Sequence, residues 1–160
     1  YYATLEHMTI EKRINSLKQA WNILNHNGLL IIVEAPNRLW LEDTHTSELP
    51  FFQWLPDDLA YLYSANSRKK SFNSKYIDNE YIYMHEFLRR GRGVSFHEFE
   101  LAFDNLGDLE ILSSLNRLVF SNGLLNTFIF KKIYKSYLRK FITYHNAFTE
   151  EYLDFIIVKN

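Results

Sequence analysis

The run Leu29-Leu30-Ile31-Ile32-Val33-Glu34 constrains this chain more than any other stretch. Its apolar residues follow one another without alternation, and Ile31, Ile32 and Val33 are β-branched. A strand of that pattern is expected to be buried on both faces, inside a largely parallel α/β sheet. The preceding segment reads as a helix. Thr9 stands as N-cap, and Ile10, Ile14, Leu17, Trp21 and Leu24 recur at helical spacing. Asn27-Gly28 ends it, with glycine expected in the left-handed position. Helix, glycine and buried strand make half of a βαβ crossover. The strand before that helix is represented only by Tyr1-Tyr2-Ala3. The chain opens on tyrosine, not methionine, and we read it as a piece of a longer protein.

The remaining elements follow the same pattern. At 160 residues and 47% hydrophobic composition, one domain with a real core is expected. Ala35-Pro36-Asn37 should end the strand, since proline cannot donate to the ladder. Residues 36–55 read as a long loop. Pro56 opens a helix with Leu59, Ala60, Leu62 and Tyr63 on its apolar face. Residues 64–80 read as a polar surface connection carrying Arg68-Lys69-Lys70, followed by an extended or helical stretch at Tyr81 to Leu88. Arg89-Arg90-Gly91-Arg92-Gly93 is a turn, and its arginines read as a solvated charge run rather than a phosphate clamp. Ser95-Phe96-His97-Glu98 fits the S-x-x-E capping box of a helix whose apolar face is Phe96, Phe99, Phe103 and Leu106. Leu109 to Leu112 and Tyr152 to Val158 read as strands, with a long helix at Leu124 to Tyr144 between them. The order is helix, strand, inserted and mostly helical region at 36–107, strand, helix, strand, an α/β pattern.

Composition removes several chemistries. Without cysteine the chain forms no disulfides, zinc fingers or thiol nucleophiles, and a reducing, cytoplasmic compartment is expected. A net charge of -1 argues against nucleic acid as partner. The strictly apolar runs are too short to span a bilayer. The triplets His85 to Phe87 and His97 to Phe99 are not H-E-x-x-H, and no metal site is expected. The Leu124–Tyr144 helix places Phe130, Ile133, Tyr134, Tyr137, Leu138 and Phe141 on one face. Lys132, Lys135, Ser136, Arg139 and Thr143 occupy the other. It reads as a core-packed helix with a wet basic face. The alternative is a lid lying on an anionic membrane surface, which would make the protein membrane-peripheral.

In open α/β sheets ligands bind beyond the carboxyl ends of strands. Two segments fall there: Thr4 to Met8, and Pro36 to Thr46. Leu5-Glu6-His7, the helix carrying Trp21, the Asn27-Gly28 turn and the strand ending Pro36-Asn37-Arg38 together resemble the second half of a class I S-adenosylmethionine-dependent methyltransferase. Asp43-Thr44-His45-Thr46, Leu49-Pro50-Phe51 and Trp54-Leu55-Pro56 are similar to a bacterial subgroup associated with cell-surface saccharide or lipid biosynthesis. The resemblance implies a Rossmann-like sheet in which Leu29 to Val33 lies between the strand before Leu5 and the strand at Tyr152 to Val158. It implies S-adenosylmethionine as cofactor, with Leu5, Glu6 and His7 on the cofactor side. Asn37, Arg38, Asp43 and Trp54 are then expected to bind the acceptor, a small molecule or saccharide intermediate. His45 is the expected base, an imidazole near Asp43 in sequence. The family's G-x-G-x-G loop and ribose-binding acid are absent, so the nucleotide-binding half is expected upstream, packed against this chain. The competing reading is a non-catalytic interaction module or a degenerate methyltransferase.

Overall fold

Thr9 caps the first helix as the sequence predicts: its hydroxyl accepts from Lys12 N at 3.4 Å, and α1 runs Ile10–Ile23. The computed structural model describes residues 1–73, 91–103, 105–114, 128–142 and 145–160. The predicted features at Tyr81 to Leu88, His85 to Phe87, Arg89, Arg90 and both ends of the Leu124–Tyr144 helix lie outside the described residues. In order, the regular elements are α1, β1 (Leu29–Pro36), β2 (Glu42–Asp43), β3 (Leu49–Pro50), α2 (Asp57–Ser64), α3 (Phe96–Phe103), β4 (Glu110–Ser114), α4 (Phe128–Phe141) and β5 (Tyr152–Val158). This is a mixed α/β fold with a small antiparallel sheet.

The sheet corrects the parallel, doubly buried reading of Leu29 to Val33. Its order is β1-β5-β4, antiparallel at both junctions. Parallel pairing among the described residues is confined to isolated bridges, Tyr2 with Val33 and Asn37 with Val94. On the outer side of β1, Ala3 N donates to Val33 O and Val33 N donates to Tyr1 O, each at 2.9 Å. The strand therefore lies between the opening tripeptide and β5. Leu30 and Ile32 pair with Ile157 and Phe155 and are buried in the main core, which also holds Leu17 of α1 and Phe99 and Phe103 of α3. Leu29 and Ile31 face the other way and stay 48% and 45% exposed. A continuous apolar run does not say whether both faces are covered; the neighbouring layers decide that.

β1 also runs further than expected, to Pro36, which pairs with Tyr152. Proline donates nothing, but its carbonyl accepts from Val94 N at 2.7 Å. A bulge between Ile32 and Ala35 makes this extension work. Glu34 adopts a left-handed φ of 61°, and its N–H donates to Asp154 Oδ1 at 2.6 Å. Bulges of this kind re-aim the residues beyond them.

The end of α1 is a second correction. The left-handed residue is Asn27 (φ 63°), not Gly28. Gly28 is needed for closeness instead, since a Cβ there would stand 2.7 Å from Asn25 O and 2.8 Å from Leu24 Cδ2. The last carbonyls of α1 are met from the far end of the chain, with Lys159 Nζ donating to Trp21 O and Leu24 O.

Residues 36–55 are folded rather than a plain loop. β2 pairs antiparallel with β3, and Phe52 joins Leu49, Ala60 and Phe72 in a second small core. Arg92 corrects the solvated charge run. It is buried, donates to Phe52 O at 3.3 Å and Leu55 O at 2.5 Å, lies over the Phe52 ring and pairs with Asp57 at 3.6 Å.

α4 is rotated from its predicted setting. Tyr134, Leu138 and Ile142 meet the main core, while Phe130, Ile133, Tyr137 and Phe141 are exposed. Glu150 and Glu151, just before β5, cause the rotation. They pair with Lys131, Lys135 and Arg139, one helical row, and draw that row toward the protein. Among the described residues no helix is long and apolar enough to cross a membrane.

The turn before β5 carries a pH dependence. His145 Nδ1 accepts from Ala147 N at 3.1 Å and caps the Asn146–Thr149 turn that seats Phe148 in the core. Burial pushes the His145 pKa below its ordinary 6.5. As pH falls below 6.5 the unfolded chain therefore takes up a proton that the native chain resists, and stability declines. Thermal melts between neutral and mildly acidic pH should show this decline. It should be shallower in His145→Asn, and an equal pH slope in both proteins would remove His145 as its source.

Candidate functional site

The carboxyl end of β1, the amino end of β5 and the single 3-10 turn Leu5–His7 converge on one carboxylate. Glu6 has no exposed side-chain surface, and neither of its carboxylate oxygens has a hydrogen-bond partner among the described residues. Its Oε1 lies 3.6 Å from His7 Nε2 and 3.9 Å from His45 Nε2. The two imidazole centroids are 6.3 Å apart. An unpaired buried carboxylate is costly. A proton on a neighbouring imidazole, or a cation brought by a ligand, relieves that cost.

Arg13 holds the Glu6 turn in place. It is 1% exposed and donates to Leu5 O at 2.5 Å, Glu6 O at 3.4 Å, Arg92 O at 2.8 Å and Gly93 O at 3.1 Å. Its charge is balanced by Glu98, with 3.1 Å contacts to both oxygens. Desolvation pushes the Arg13 pKa below its ordinary value, and Glu98 opposes that shift. Glu98 also completes half of the predicted capping box, accepting from Ser95 N at 2.9 Å. The Ser95 hydroxyl accepts instead from His97 N, at 3.3 Å.

The loop between β2 and β3 carries His45. Asp43 is buried and accepts from Thr46 N at 3.0 Å and from Ser47 N and Ser47 Oγ at 2.7 Å. The Thr46 hydroxyl donates to Gly91 O at 2.9 Å, so at its 3.0 Å contact with His45 it accepts from Nδ1–H. That places the ring's free lone pair on Nε2, on the Glu6 side. Gly91 (φ +118°) lies against this pair, and a Cβ there would stand 2.5 Å from Thr46 Oγ1. Tyr152 closes the group, its ring 6.5 Å from His45 and its hydroxyl 3.4 Å from Thr44 Oγ1. Burial pushes the Tyr152 phenol pKa up, so the phenol stays neutral.

The predicted residues divide into three groups. Glu6, His7 and His45 are brought together. Leu5 and Asp43 adjoin them but serve the fold, Leu5 through the core and Asp43 through the His45 loop. Asn37 is also spent on the fold: its amide donates to Phe148 O and Glu150 O, each at 2.8 Å, and its Oδ1 accepts from Leu39 N. Arg38 is half-buried, and among the described residues no hydrogen bond or ion pair engages its guanidinium. Trp54 belongs to another surface, 5.2 Å from the Phe51 ring and 6.4 Å from that of Tyr134. Sequence reasoning missed Arg13, Gly91 and Tyr152. Arg13 did carry a signal, since it sits four residues before Leu17 on the buried face of α1.

No family model, curated protein or solved structure matches this chain. What is defined is a mixed α/β protein with a buried carboxylate set between two imidazoles.

Proposed function

We propose that this chain is the C-terminal part of a class I S-adenosylmethionine-dependent methyltransferase acting on a small molecule or a cell-surface saccharide or lipid intermediate. The observation that carries the reading is Glu6, an enclosed carboxylate without a hydrogen-bond partner, set between His7 and His45. The strand order supports it too: β1 lies between the bridge to Tyr2 and β5, the order that the resemblance implies.

The residues present fit one side of the cofactor. A buried negative charge complements a cationic sulfonium and its α-ammonium group, so Glu6 and His7 would stand on the methionine side. The nucleotide's expected seats, the glycine-rich loop and the ribose-binding acid, belong to the upstream half. When bound, the cofactor supplies the methyl group and, as a sulfonium, its own leaving group. An acceptor O–H or N–H placed at His45 Nε2 gives its proton to that nitrogen as its lone pair takes the methyl group. Thr46 fixes the tautomer that leaves Nε2 basic, and the Glu6 carboxylate stabilises the imidazolium that forms. Arg38 offers a cation to an acidic acceptor.

The reading frame upstream of Tyr1 is the first test. It should encode a strand followed by a G-x-G-x-G loop, and its absence would sink the proposal. Calorimetry gives the second. The 160-residue chain alone should bind S-adenosylmethionine negligibly, and the chain joined to its upstream half should bind it. Micromolar binding by the chain alone would mean that the cofactor site is misplaced.

A further inference from the structure

The exposed side of α4 has no partner among the described elements. Phe130, Ile133, Tyr137 and Phe141 are 45%, 62%, 55% and 67% exposed. They form one stripe along the helix, about 16 Å long at 1.5 Å per residue. Tyr137 and Phe141 pack on each other with ring centroids 4.8 Å apart. Four large apolar side chains in a row facing water are a large unexplained exposure.

The charge beside the stripe says what would cover it. The helix carries five basic residues and no acidic one. Lys131, Lys135 and Arg139 are engaged by Glu150 and Glu151. Lys132 and Lys140 are exposed, and neither has an ion-pair partner among the described residues. Lys140 borders the apolar stripe, one turn from Tyr137 and two from Ile133, while Lys132 lies on the far side of the helix beside Arg139 and Ser136. A second copy is a poor fit, because self-contact would set this basic flank against itself with no acid on the helix to answer it.

The apolar surface also continues beyond the helix. Tyr134 leads to Trp54, and Trp54 to Phe51. Phe51 in turn borders an open apolar groove with Leu55, Leu59 and Leu62. Trp54 is 44% exposed, and an amphipathic indole beside a helix stripe suits the headgroup region of a bilayer.

We propose that this face docks on an anionic membrane surface, with the α4 stripe entering the acyl boundary, Trp54 at headgroup depth, and Lys140 on the phosphates. The arrangement is that of an interfacial helix lying in the membrane plane. It is independent of the chemistry at Glu6 and His45.

The test uses the full chain and two kinds of vesicle, phosphatidylcholine alone and phosphatidylcholine with phosphatidylserine in equal parts. Co-sedimentation should favour the phosphatidylserine vesicles and weaken as salt rises. Trp54 emission should shift to the blue on those vesicles, a change lost in Trp54→Phe. Ile133→Asp/Tyr137→Asp should lower binding about tenfold or more. Lys140→Glu should cost about fivefold on phosphatidylserine only, and Lys132→Glu, on the far side of the helix, should cost clearly less. Should an aspartate variant fail to fold, the vesicle preference, the salt dependence and the Trp54 shift in the unaltered protein still decide. Failure to bind either vesicle overturns the proposal, as does binding that the helix substitutions leave intact. Self-association abolished by Tyr137→Asp, without vesicle binding, would assign the face to a second copy and overturn it too.

Discussion

Replacing Arg13 with alanine is expected to destabilise the fold by about 3–5 kcal/mol, because it strands Glu98 as an uncompensated buried charge. Both side chains are nearly enclosed, at 2% and 5% exposure. Domains of this size are stable by only about 5–15 kcal/mol, so the loss takes a large share of the total and should show as a clear fall in the denaturation midpoint. The guanidinium also meets four backbone carbonyls, at Leu5, Glu6, Arg92 and Gly93. Lysine cannot reproduce that planar fork, and Arg13→Lys should lose much of the same stability. Arg13→Met/Glu98→Gln removes both charges and should recover part of the loss. Urea denaturation of the three variants measures these differences. An Arg13→Ala protein within about 1 kcal/mol of the parent would show that the pair is not what joins the Leu5–His7 turn to the Arg92-Gly93 segment.

On the proposed methyltransferase reading, His45→Ala in the chain joined to its upstream half should lower turnover by about 10²-fold or more, the usual contribution of a positioned general base. Cofactor affinity should change little, since the proposal puts His45 on the acceptor side. Thr46→Val keeps the imidazole and removes the hydroxyl that fixes its tautomer, so a smaller loss is expected. Glu6→Gln preserves shape while removing the charge proposed to stabilise the imidazolium, and it should lower turnover too. Rates of parent and His45→Ala measured across pH decide the matter. Superimposable profiles would reduce His45 to a loop residue.

Much of this architecture is legible in the chain because it is local. Thr9 lies three residues before the N–H it caps, and the helical spacing of Leu17, Trp21 and Leu24 marks the face that α1 turns inward. The strand at Tyr152–Val158 and the helix after Ser95 lie where their patterns place them. The pairing of Leu5-Glu6-His7 with the Asp43–Thr46 loop was also within reach, because both follow strand ends on the same side of a sheet. Asn37 and Trp54 show the limit of that rule. Both lie in the segment after β1, yet Asn37 is consumed by the carbonyls of Phe148 and Glu150, and Trp54 is packed between Phe51 and Tyr134.

The sequence by itself determined where α1, α3, β1 and β5 lie, because periodicity, capping and turn chemistry act over a few residues. Tertiary structure alone decided which faces are covered. Leu29 and Ile31 are as apolar as Leu30 and Ile32, but only the latter two face the main core shared with Leu17 of α1 and Phe99 of α3. Phe130 and Tyr137 are as apolar as Leu138, but Glu150 and Glu151 turned α4 by its basic row and left the aromatic stripe outside. Arg13 reads as a surface charge until Glu98, 85 residues away, arrives to balance it in the interior. Burial, and with it the electrostatics of Glu6 between two histidines, depends on groups distant in sequence, and no local pattern records them.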